Sequence, residues 1–205
     1  MELILSAISA GGLVGASDQF MCLLIVSVAG RLGWVQLAVP MTFMSSEWFI
    51  IMVAVFWVLS IAPAYASLLS PGVMNAVNTI TNFLSGFLVP LSSALLALAS
   101  AGIIASMNPD LRQFLQSMQI FTADGNIGST GYAVSAASAA VGTSMTAMKA
   151  LAKPAISTVS GTSGHLNAPL YTTLENLASV VLMLLAYWLL QLDPWMLVVL
   201  AVALF

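Results

Sequence analysis

Few side chains in this sequence can carry charge, so the search for chemistry is short. Seven Asp and Glu stand against four Lys and Arg and one His in 205 residues. Asp18 falls between two apolar half-helices, Leu3 to Val14 and Gln19 to Arg31. A carboxylate at such a break can hold an ion or a proton; at a water boundary it would simply cap a helix. Glu47 comes just before a long apolar run and reads as an interfacial cap. Glu175 adjoins Asn176 and follows a stretch holding His165 and Asn167. Lys149 and Lys153 are four apart and share one helical face. They can pair with Glu175, Asp18 or a lipid phosphate, or complement a helix C-terminus. Asn75, Asn78 and Asn82 form a polar helical stripe, which could line a path or bond neighbouring helices. The chemistry these residue types offer is the binding and passage of an ion or small solute. The expected path is Asp18, Asn75, Asn78, Lys149 and Glu175, with His165 and Asn167 as loop contributors.

Catalysis and metal binding find no comparable pattern. The sequence has no HExxH, no GxSxG and no P-loop. Gly161-Thr162-Ser163-Gly164 lacks a following Lys and reads as a flexible loop. Cys22 is the only cysteine, so an intrachain disulfide and a Cys-only cluster are excluded. It sits in an apolar run and reads as a small buried hydrophobe. No cofactor and no metal are expected, and the chain is read as a non-enzyme. No basic run exists to grip phosphates, so nucleic acid is not an expected partner.

The elements that must position these residues are membrane helices. Apolar residues make up 60% of the chain and charged ones 5%, where a soluble domain averages about 25% charged. So few charges cannot cover a surface in water, and lipid must be the main solvent. Residues 48 to 109 hold no charged side chain, room for at least two spans. The early residues carry Glu2 and no basic cluster, which argues against a cleaved signal. The expected fold is all-α and polytopic, a single transmembrane domain over 1–205 with five to six hydrophobic segments, some broken or re-entrant.

Local signals set the expected boundaries. Ser45 or Ser46 caps a helix from Trp48 to about Leu69, which Pro63 should kink or end early. Ser70-Pro71-Gly72 is a turn. Val73 to Ser85 carries the Asn stripe, and the apolar 86–104 has Gly86 and Pro90 at its start. Residues 106–131 form a polar extramembrane loop with a short amphipathic helix, Leu111 to Phe121. Gly131 to Leu151 is rich in Ala, Ser, Gly and Thr. Its rows Ala136, Ala140, Ser144 and Ala139, Thr143, Ala147 allow close helix approach, which makes it the expected packing centre. Pro154 should stop it, and 154–173 should be a polar Gly/Ser/Thr-rich loop before a helix opened by Glu175. Asp193-Pro194 caps a last helix, Trp195 to Phe205. Pro40 to Glu47 and Pro169 to Glu175 echo each other, as two halves of an inverted repeat would. Arg31 and Arg112 fall on one side and Lys149 and Lys153 on the other, so the basic residues set no orientation.

Several of these residues resemble a bacterial membrane family named domain of unknown function 4126. They are Ala29-Gly30-Arg31-Leu32-Gly33 after a Gly-rich broken helix, and Lys149-Ala150 closing the small-residue helix. Asn167 followed by Thr172-x-x-Glu175-Asn176 is similar to that family's Asn and Ser-x-x-Glu-Asp, and Asp193-Pro194 fits its late turn. The likeness covers most of the chain in the same order. It implies a helical fold in a bacterial inner membrane and supplies no reaction. This chain departs from the family in keeping only Pro63 and Pro71 in the uncharged stretch 58–71, and in having Asn176 for Asp.

Two functions from different classes follow. One is a small transporter or channel, acting as a homo-oligomer in the lipid bilayer. The other is a non-catalytic accessory subunit packed against other membrane subunits. The second expects small-residue faces left exposed outside the chain's own core, and the first expects them buried.

Overall fold

The computed structural model describes residues 18–66, 71–107, 109–159, 164–193 and 196. The expected segments 3–14 and 195–205 lie outside them. Among the described residues the chain is helical, with one isolated antiparallel bridge, Phe121 to Ile127.

Helix α1 runs Gln19–Arg31 with Asp18 as its N-cap. It ends where Gly33 takes φ +72° and the Trp34 N–H returns 2.9 Å to the Ala29 carbonyl. That left-handed residue turns the chain back at low cost because glycine has no Cβ. A 3-10 helix, Val39–Ser45, carries Met41 and Met44 into the core. Helix α2 is Glu47–Ala66, with the Phe49 N–H donating to Ser46 Oγ at 3.4 Å as expected of a cap. Pro63 stays inside it, so the helix does not stop there; its expected end near Leu69 lies outside the described residues.

Helix α3 runs unbroken over Pro71–Met107. The Asn-bearing stretch and the apolar 86–104 form one helix, with Gly86 and Pro90 inside it. An internal proline removes one N–H, and the turns on either side remain bonded. Helix α4, Pro109–Ser117, is the short helix expected in the polar stretch, ending earlier than Phe121. The chain then turns through Gln119 at φ 55°, and the Gly128 N–H reaches the Ile120 carbonyl at 2.9 Å.

Helix α5 spans Ser129–Val159 and α6 spans Gly164–Leu192. Two expectations fail here. Pro154 lies inside α5, and α6 begins eleven residues before Glu175. The stretch 154–173 is therefore mostly helix, and His165, Asn167, Pro169 and Glu175 all belong to α6. The inverted echo fails with it: Glu47 opens a helix, whereas Glu175 sits inside one.

Among the described residues, three helices are long and apolar enough to cross a membrane, through Glu47–Tyr65, Gly86–Ser106 and Pro169–Leu189. The central one is α3, where 61% of the window is buried against 11% of each of the others. This corrects the expectation that the small-residue helix is the centre. Helix α5 packs on α3 through Val134, Ser138 and Gly142, while Ala136, Ala140, Ser144, Thr143 and Ala147 are exposed. Small residues recur every fourth position on several faces of α5, and the fold uses the row in phase with Gly142.

The windows meet at one end, where Ser106 and Tyr187 line a groove with Trp34, and Glu47 pairs with Arg31. Their shared end carries a belt: the exposed indoles of Trp34 and Trp48, the Arg31–Glu47 ion pair, and Tyr187, whose hydroxyl donates to the Trp34 carbonyl at 3.3 Å. Aromatic side chains and charges together mark a membrane interface. Below the belt, Cys22, Leu23, Val26, Met41, Met44, Phe49, Val53, Leu96, Ala99 and Ile103 form one apolar core.

Candidate functional site

The site is a polar layer built around the start of α1. The first N–H groups of a helix have no partner within it. Asp18 Oδ1 accepts two of them, from Phe20 at 3.0 Å and Met21 at 3.1 Å. The Asp18 N–H donates to Ser179 Oγ on α6 at 2.8 Å, and Ser179 Oγ donates to the Glu175 carbonyl at 2.8 Å. Ser60 on α2 holds its hydroxyl 2.7 Å from the Trp57 carbonyl and 3.4 Å from Asp18 Oδ2. Its single proton serves the shorter bond best. One turn away, Trp57 Nε1 donates to Asn176 Oδ1 at 3.1 Å.

Gln19 extends the layer to the other two helices. It is 4% exposed, and its amide donates to Thr146 Oγ1 at 3.3 Å and the Gly142 carbonyl at 3.5 Å on α5. Ser92 Oγ on α3 lies 3.0 Å from its Oε1 and 2.9 Å from the Val89 carbonyl, and its one proton is shared between the two acceptors. Ser138 Oγ on α5 donates to the Ser93 carbonyl at 3.0 Å, and Ser93 Oγ is buried with no partner. This contact is close because Gly142 lacks a side chain: a Cβ there would lie 2.0 Å from Ser93 Oγ. All five long helices therefore contribute a polar group at one level.

The depth of that level follows from helix rise. Asp18 is about 20 Å along α1 from Arg31, Ser60 about 20 Å along α2 from Glu47, and Ser92 about 21 Å along α3 from Ser106. Asn176 is about 20 Å along α6 from Leu189. The other ends of the apolar windows are nearer. Tyr65, Gly86 and Pro169 stand about 8, 9 and 10 Å beyond Ser60, Ser92 and Asn176. The layer thus sits inside the apolar slab, towards the end away from the belt.

The expected path residues separate against this frame. Asp18 is in the layer, as the cap of α1. Glu175 is half-buried, one turn from Ser179 on α6. Lys149 stands three residues beyond Thr146 on α5. Asn75 and Asn78 belong to the α3 extension outside its apolar window, about 21–26 Å from Ser92 along the helix. His165 and Asn167 lie just outside the α6 window. Glu47 makes the Arg31 ion pair at the belt, far from the layer.

Sequence reasoning missed Gln19, Ser60, Ser92, Ser179 and Thr146. Gln19 was the most legible of these: an amide directly after the cap, opening an apolar helix, must find partners or meet lipid. The serines give no such signal, because a lone Ser in a span also bonds its own helix carbonyl.

No family model matches the chain, and no curated protein or solved structure matches it either.

Proposed function

We propose that this protein is an oligomeric membrane transporter or channel for an ion or small solute, with the Asp18 layer as the narrow point of its path. The observation that supports this reading is a helix that starts within the apolar slab with a carboxylate at its tip. A carboxylate is expensive in hydrocarbon, and where one occurs it usually serves an ion or substrate. Interhelical bonding alone needs no charge, since Ser, Thr and Gln would supply it.

The test is flux in proteoliposomes read with dyes for protons, sodium, potassium and chloride. Asp18→Asn is the informative variant, because Asn caps a helix as well as Asp does and removes only the charge. The expected result is wild-type flux of one of these ions, lost in D18N, with an unchanged particle and melting temperature. Equal flux in the two proteins would sink the reading.

A second reading is favoured by one observation. Helix α5 leaves Ala133, Ala136, Ala137, Ala140, Thr143, Ser144 and Ala147 exposed, the face that an accessory subunit needs for close helix packing. Purification from the native membrane in mild detergent separates the two. Stoichiometric foreign polypeptides, lost on Ala140→Leu, would make the chain a subunit of a larger complex. A particle made of this chain alone favours transport.

A further inference from the structure

The two sides of the Asp18 layer differ in kind. Towards the belt, the side chains stacked above the layer are buried and, apart from Ser27, apolar. Cys22 is one turn above Asp18 on α1, Val53 one turn above Trp57 on α2, and Leu96 one turn above Ser92 on α3. Met41 and Met44 enter among them from the 3-10 helix, and Met183 of α6 packs on the same cluster. A groove of about 210 Å³ opens at the belt between Trp34, Gln36, Ile103, Ser106 and Tyr187, and Ile103 also belongs to the apolar core. About 20 Å of packed hydrocarbon therefore separates the belt from the layer.

On the far side the apolar windows end within about 10 Å. Beyond that limit the helices continue, and their sequence turns polar. By position along the helices, Asn75, Asn78 and Asn82 on α3, Lys149 and Lys153 on α5, and His165 and Asn167 on α6 all fall beyond the layer. None of the seven falls on the belt side.

We infer that the bundle is sealed at the belt by the Met41–Met44 core, and that water and solute reach Asp18 only from the opposite face of the membrane. In hydrocarbon a polar layer persists only if its groups are satisfied or water reaches them. The short, polar-flanked side supplies that water and the apolar side excludes it. The sealed state is then one end of an access cycle. This rests on the transport reading for its purpose, but its test does not need flux.

The native protein has one cysteine, so thiol labelling is direct. In a Cys22→Ala background, Ser60→Cys reports on the layer. Asp124→Cys, in the exposed turn after α4, marks the belt face. A charged, membrane-impermeant maleimide is added to sealed vesicles of each orientation. The expected result is that S60C is labelled only in the orientation in which D124C is protected. Labelling of S60C from the D124C side, or from neither side, overturns the inference. Asn176→Cys is the second reporter should S60C disturb packing, and the same pattern is required of it. Unsubstituted Cys22, inside the seal, should be labelled from neither side; reaction from the belt face contradicts the seal. Correct sidedness with equal flux in wild type and D18N would leave the access geometry standing and remove the transport reading.

Discussion

The belt half of the bundle and the layer half are made from the same helices by different means. In the belt half α1, α2 and α3 meet through Cys22, Val26, Met44, Val53, Leu96 and Ile103, whose fit depends on volume alone. Ser27 is the exception there, a small residue with a buried and unpartnered hydroxyl. In the layer half the contacts are directional: Asp18 to Ser179, Trp57 to Asn176, Gln19 to Ser92 and Thr146. Lipid supplies no hydrophobic drive between apolar helices, so packing there must come from dispersion and shape. The polar half adds register, because each bond fixes which turn of one helix faces which turn of another. The contrast assigns firmness to one half and a possible site to the other.

Substitutions that break the comparison should differ in size. The largest effect belongs to the seal. Met44 is fully buried, so Met44→Ala should destabilise by about 2–5 kcal/mol. In the S60C background the same change should admit the maleimide from the belt face. Denaturant unfolding in micelles followed by Trp fluorescence measures the first effect, and vesicle labelling the second. Gly142→Ala comes next, because its Cβ would meet Ser93 Oγ and Cβ at 2.0 and 2.8 Å. Parting α5 from α3 should cost about 1–3 kcal/mol and weaken the Gln19 bonds to α5, seen as faster amide exchange around Gly142. Asp18→Ala should cost about 1 kcal/mol through loss of the cap, and D18N should recover most of it. Comparing their melting temperatures sharpens the distinction between cap and charge. The smallest effect is at the belt. Arg31 and Glu47 are 46% and 70% exposed, so Arg31→Ala should change stability by no more than about 1 kcal/mol, and less as salt rises.

Local signals in the sequence carried further than long-range ones. Asp18 before an apolar run reads as a cap, and it is one. Ser46 before Glu47 reads as a cap, and it is one. A helix in the polar stretch after Asn108 is present at Pro109–Ser117. Each of these depends on residues within one turn of each other. The local cost of Pro154 predicts a stop, yet it lies inside α5, where the turns that surround it carry the helix on. The phase of α5 was hidden, since a helix made of Ala, Ser, Gly and Thr offers several equivalent close-packing rows. The layer itself was hidden for a different reason. Its bonds join residues 161, 123 and 119 apart in sequence, and no periodicity along one helix encodes which turn of another it will meet.

The central claim is that the charge of Asp18 works at membrane depth, beyond its service as a cap. The most direct measurement is ion flux through wild-type and D18N proteoliposomes prepared at equal protein content, with the melting temperature of each protein taken from the same batch. The account predicts matched melting temperatures and flux lost in D18N alone. Matched melting temperatures with matched flux would show that Asp18 caps α1 and does nothing more.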